Sequence, residues 1–196
     1  KVQGLERGVF PVLDAVMVNA PEGSPRQKFV HLALADTDRR VNEGKAVAPS
    51  FMLACMLWHD VQAAWSRLRE QGEHPSPALQ QAIDGVFDAR IGDISGRGKL
   101  ATDMREVWMM QPRFERRSGS QAYALIEQAR FRAGFDFLRL RADAGEASAE
   151  LAEWWEDFSL GDDAEREALI QAVKEAPRAS SRARRSTAPT RNEGAD

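Results

Sequence analysis

A single cysteine, Cys55, in a chain of 196 residues excludes any disulfide within it and agrees with a reducing, cytoplasmic setting. Three histidines, His31, His59 and His74, stand far apart, so no zinc-type ligand spacing exists. No apolar run is long enough to cross a bilayer, and no signal-peptide pattern opens the chain. Strict apolar–polar alternation is absent throughout, which removes the half-buried strand as a building unit. No G-x-S-x-G or other nucleophile–base pattern can be found. The chain starts at Lys1 instead of methionine, which reads as a piece cut from something longer on its N-terminal side.

Two stretches come close to a chemical motif and fail. Ser95-Gly96-Arg97-Gly98-Lys99 suggests a phosphate loop, but the spacing would need a glycine at Asp93 and a strand before it. It reads as a basic, flexible linker in which Arg97 and Lys99 could touch a nucleic-acid backbone. Asp36-Thr37-Asp38 offers a paired carboxylate of the kind that holds metal ions, without the strand or the third carboxylate such a site requires. A helix end or loop in which Arg39 and Arg40 pair with the acids is the simpler expectation.

What is present is 43% hydrophobic residues in helical spacing and an uneven distribution of charge. The net charge of −3 conceals a tail from Pro177 onward with five arginines and two acids, +3 in all, which leaves −6 for the rest. Such asymmetry points to a basic tail with an anionic partner. The tail has no large apolar residue, so it is expected to remain disordered.

The helices follow from period and caps. Val9–Ala20 fits a short amphipathic helix, and Ser24-Pro25 supplies the cap and first-turn proline of the next. Pro49–Gly72 is apolar nearly all round at first, which predicts the most buried helix of the front half, ended by Gly72. Ser76-Pro77 repeats the cap-plus-proline start for a helix carrying Leu79, Ile83, Val86 and Phe87. Leu151, Trp154, Trp155 and Phe158 form a compact aromatic helix, and Ala164–Ala176 a weaker one. The fold class is all-α, a multi-helix bundle-like array with a disordered basic C-terminal tail. Tryptophans 58, 65, 108, 154 and 155 could stack on bases, but at helical spacing they read as core.

Thr102–Ala142 is the stretch around which the rest is organised. It reads as helix, glycine-centred turn, helix, helix, with Val107, Trp108, Phe114, Leu125, Phe131, Phe135 and Leu138 on the apolar face. Its other faces carry Arg105, Arg113, Arg116, Arg117, Arg130, Arg132, Arg139 and Arg141, and no lysine. Arginine favours bidentate contacts to phosphate or carboxylate. The competing reading is a solvated surface with Glu106, Glu115, Glu127 and Asp136 as partners. Pro112 is expected to kink the first of these helices.

The order W-x-x-Q-x-R, R-R-x-G, R-F-R-A, L-R-A and W-W, then the arginine-rich tail, resembles the RNA-binding C-terminal part of bacterial poly(A) polymerases. R-G-V-F-P-V-L, D-T-D-R-R-V and P-S-F-M-L-A-C-M-L-W are similar to the helical body of that class II nucleotidyltransferase superfamily. Where family members read G-K-R-A, this chain has Gly119-Ser120-Gln121-Ala122. The resemblance implies addition of AMP from ATP to RNA 3′ ends, with Mg2+ and ATP handled by a catalytic head upstream. This segment would hold no cofactor, metal or catalytic residue. It divides the chain into a helical body at 1–100, an RNA-binding portion at 101–160, a peripheral helix at 161–176 and the tail at 177–196. Single-stranded RNA 3′ ends would meet Arg105, Arg113, Arg116, Arg117, Arg130 and Arg132, with Arg178, Arg182, Arg184, Arg185 and Arg191 in the tail. RNA-decay proteins such as a DEAD-box helicase would be protein partners, and no membrane is involved. A CCA-adding tRNA nucleotidyltransferase and a helical protein–protein adaptor are the alternatives.

Overall fold

A computed structural model describes residues 23–90 and 98–186. The helix expected at Val9–Ala20 and most of the glycine-rich linker, Arg97 included, lie outside the described residues, as does Arg191. Within them are eight helices and no strand, as the sequence predicts. They are α1 (Pro25–Asn42), α2 (Pro49–Glu70), α3 (Pro75–Arg90), α4 (Lys99–Phe114), α5 (Gly119–Ile126), α6 (Phe131–Asp143), α7 (Ala149–Leu160) and α8 (Asp163–Ser186).

The start and stop signals act largely as expected. Ser24 Oγ accepts from the Gln27 amide at 3.2 Å, with Pro25 in the first turn of α1. Gly72 follows α2 at φ 88°, a conformation that L side chains rarely adopt. One start is displaced: α3 begins at Pro75, its Ala78 amide bonded to the His74 carbonyl at 2.9 Å, so Ser76 lies inside the first turn. Two prolines fit that turn because its amides have no intrahelical partner. D-T-D-R-R is wholly helical, and α1 continues to Asn42. Pro112 stands inside α4, which ends two residues on at Phe114. The final helix runs to Ser186, past the tail boundary expected at Pro177. Alanine and arginine are strong helix formers, and a helix already nucleated extends more readily than a new one starts.

α2 is the centre of the front half. Residues 50–58 and Val61 are all buried, since α1, α3 and α4 cover it on different sides. A second cluster gathers Phe114, Ala122, Leu125, Phe131, Phe135, Leu138, Trp155, Phe158 and Ile170. The two clusters meet through α4 and α6, each of which contributes to both. Trp108 and Phe137 face the front cluster, while Met110, Phe135 and Leu138 face the rear one.

The tryptophans are core, and their ring N–H groups are satisfied. Trp108 Nε1 donates to the Ala54 carbonyl at 3.1 Å and Trp155 Nε1 to the Phe114 carbonyl at 2.8 Å. Trp58 Nε1 donates to Glu146 at 3.3 Å, and the half-buried Trp65 to the Pro75 carbonyl at 3.0 Å. A base-stacking role for the fully buried rings Trp58, Trp108 and Trp155 is excluded by their burial.

α6 crosses α4 closely at Gly134. A Cβ at Gly134 would fall inside contact distance of Met110 Sδ, with Met110 Cβ at 3.4 Å. Gly134→Ala gains about 1 kcal/mol of helix propensity, but overpacking there is expected to cost about 1–3 kcal/mol and to dominate. Thermal denaturation should show a lowered melting temperature. Combined with Met110→Ala the effects should be less than additive, because one removes the obstacle the other meets.

Candidate nucleic-acid interface

The arginines that the sequence groups together separate into tethered and free sets. Arg105 pairs with Asp84 on α3 and lies 5.7 Å over the Phe87 ring, which ties α4 to α3. Arg130 pairs with Asp103 at 2.8 Å and reaches Glu106 at 3.8 Å, holding the start of α6 to α4. Arg132 pairs with Asp136 at 3.3 Å and covers the Phe135 ring. Each neutralises a carboxylate of its own chain, so a phosphate would have to displace that partner.

Arg132 also lines a cleft of about 720 Å³ between α1 and α6, with Arg39, Arg40, Lys45 and Arg139. None of these last four is singled out by the sequence motifs as a site residue, although Arg132, Asp136 and Arg139 at i, i+4 and i+7 share a helix face. The cleft is rich in charge and balanced. The buried Asp136 is held by Arg40 at 3.0 Å, and Asp36 by Arg39 at 2.6 Å and Arg40 at 2.9 Å. Lys45 pairs with Glu43 at 3.0 Å and Arg139 with Glu156 at 3.3 Å. This confirms the ion-pair reading of the D-T-D-R-R stretch for Asp36. It also makes the cleft a cross-link between α1 and α6 more than an anion trap.

Arg141 is drawn largely out of solvent. It lies 5.4 Å over the Trp58 ring and donates to Gln111 Oε1 at 3.1 Å. Burial pulls its guanidinium below the usual arginine value, against the attraction of Glu146 and Glu115. Gln111 completes the link by donating to the Val107 and Gly134 carbonyls at 2.8 and 3.2 Å. Glu146 accepts from Trp58 and meets His59 Nε2, so His59 is a structural residue at this junction.

The turn between α4 and α5 is different. Arg113 is in the last turn of α4, Arg116 and Arg117 follow, and Ser118 caps α5 without a side-chain hydrogen bond. Arg113 and Arg116 are exposed and line a notch of about 290 Å³ with Ser120, Gln121 and Ala124. Among the described residues no carboxylate lies within ion-pair distance of either. Arg117 is half-buried and set 5.7 Å over the Trp154 ring, also with no acid partner among the described residues. The notch therefore holds two free guanidinium forks beside the amide end of a helix, where the backbone dipole favours an anion.

Arg178, Arg182, Arg184 and Arg185 follow one another along the last turns of α8, so the backbone carries them as a helical extension. Among the described residues no cluster of His, Cys, Asp and Glu could hold a metal ion, and no helix is long and apolar enough to cross a membrane.

Residues 71–191 match the family described as the polymerase A arginine-rich C-terminus, which takes in the notch and the arginines in the last turns of α8. The chain is 31% identical to the poly(A) polymerase I of Escherichia coli O157:H7 over 166 residues, 83% of this chain and 36% of that protein. It is 31% identical to the poly(A) polymerase I of Haemophilus influenzae over 172 residues, 86% of this chain and 37% of the relative. For the enzyme of the same name from Salmonella typhi the figures are 31% over 158 residues, 79% and 34%. The chain thus spans little more than a third of the length of the relatives it matches.

Proposed function

The chain belongs to the polymerase A arginine-rich C-terminus family, and on that premise we propose that it is the RNA-binding part of a poly(A) polymerase, which adds AMP to RNA 3′ ends. The observation that carries this reading is the notch at the α4–α5 turn. Arg113 and Arg116 are presented there by a helix end, exposed, and without a carboxylate partner among the described residues. Single-stranded RNA offers what such a notch lacks, a row of phosphates that two forks and a helix amide end can hold in fixed geometry. The tail arginines would add charge that acts through electrostatic attraction to the strand. The substrate would be RNA in the cytoplasm, and RNA-decay proteins such as a DEAD-box helicase would be partners.

The chemistry of transfer lies elsewhere in this proposal. ATP and Mg2+ would be handled by a catalytic head outside this segment, as the family resemblance implies. The segment's own work is to bind the strand and hold it. The CCA-adding alternative has no observation in its favour. The adaptor alternative likewise has no observation in its favour.

Tail and notch are separable by experiment. Replacing Arg178, Arg182, Arg184, Arg185 and Arg191 with alanine should weaken binding of a fluorescent oligoadenylate and of a mixed-sequence strand alike. The log–log salt dependence should flatten by about 0.7 for each phosphate that is no longer neutralised. Lysine at the same five positions should be nearly silent, because only charge acts there. Unchanged affinity and slope after the alanine changes would remove the tail from the RNA surface.

A further inference from the structure

Leu160 is 77% exposed, far more than the next large apolar side chain among the described residues, Val41 at 42%. It ends α7 beside a groove of about 510 Å³ between α7 and α8. Ala168, Leu169 and Ala172 form the α8 wall, and Asp157 and Glu165 stand at the edges. Alanines four residues apart give the wall its depth, since a larger side chain at either would fill it.

The groove is held open by a firm joint. Gly161 turns the chain where a Cβ would meet the Asp157 carbonyl at 3.0 Å and Glu165 Cβ at 3.1 Å. Asp162 and Glu165 then cap α8 reciprocally, the Glu165 amide donating to Asp162 Oδ1 at 2.9 Å and the Asp162 amide to Glu165 Oε2 at 3.1 Å. Arg166 secures the end of α7, donating through Nε to the Phe158 carbonyl at 2.8 Å and through Nη2 to the Ser159 carbonyl at 3.2 Å. A site built this way loses little freedom when something enters it.

Charge narrows what that something is. Asp157 and Glu165 line the groove, while the neighbouring Arg166 is turned inward onto Phe158. An acidic rim repels RNA phosphates, and two copies meeting through this face would bring like charges together. We infer that the α7–α8 groove docks a segment of another protein in which an aliphatic side chain is flanked by lysine or arginine. The aliphatic side chain would pack on Leu160 and Leu169, and the basic flanks would meet Asp157 and Glu165. This surface is independent of the RNA reading.

The test is amide-shift mapping with a 12-residue peptide carrying two leucines one helical turn apart among lysines. The amides of residues 157–172 should shift saturably. Leu160→Ser, a change at an exposed site, should weaken the peptide at least tenfold and leave oligoadenylate binding as it was. A matched peptide with glutamate for lysine should not bind, nor one with serine for leucine. Equal binding by the glutamate peptide, or undiminished binding to Leu160→Ser, would overturn the docking site. So would self-association in sedimentation that Leu160→Ser abolishes, since a second copy would then be the occupant.

Discussion

Trp58→Ala is expected to lower the melting temperature by about 6–20 °C, from a loss of about 3–5 kcal/mol in a chain of this size. Its ring is fully buried in α2, edge-on to Phe137 at 5.4 Å and beneath the Arg141 guanidinium at 5.4 Å. Removing it opens a cavity and deprives two charged groups of a neighbour. Glu146 loses the indole donor at 3.3 Å, and Arg141 loses the face that offsets its burial. Trp58→Phe keeps an aromatic body and drops only the indole N–H and some volume, so it should fall well short of the alanine effect. Calorimetry or circular dichroism distinguishes the two. If Trp58→Ala melted like the wild type and failed only in RNA binding, the residue would be a stacking platform and not the core of the α2–α6 contact.

The helices were legible because their signals are local. Ser24-Pro25, the apolar run after Pro49 and the glycine at 72 each act within a few residues, and each is found where the sequence puts it. Local signals mislead where two compete. His74-Pro75 and Ser76-Pro77 both describe a helix start, and the earlier one prevails because a second proline is tolerated within the same turn. The tail shows the converse, since a composition unable to form a core still extends a helix that α8 has nucleated.

The site was legible in kind and not in membership. Sequence names the arginines but cannot show which of them have met a carboxylate from another helix. Arg105 finds Asp84 across α3, and Arg40 finds Asp136 across α6, through pairings that exist only after folding. Arg113, Arg116 and Arg117 have neighbours in Glu115 and Glu127 along the chain, yet no pairing with either forms. The α4–α5 turn sends the side chains apart, and Arg117 goes to Trp154 instead. Availability for a ligand is decided by tertiary placement, which composition does not encode.

That difference sets the outcome expected for Arg113 and Arg116. With both replaced by alanine, two charge-assisted hydrogen bonds of about 1.5 kcal/mol or more each disappear, and oligoadenylate affinity should fall about 100-fold. The salt slope should flatten as well, because two phosphates are left to their counterions. Lysine at both positions keeps the charge, so the slope should stay near wild type, while affinity still falls about tenfold because an ammonium cannot reproduce the fork. Neither change should move the melting temperature, since both side chains are exposed and make no ion pair with the described residues. Arg130→Lys provides the contrast: it disturbs the pair with Asp103, so it should lower stability and leave RNA binding nearly untouched. Should lysine and alanine at 113 and 116 both bind like wild type, the α4–α5 turn is not an RNA surface. Retained affinity with alanine but a slope that still depends on the five tail arginines would assign the whole of RNA binding to the tail.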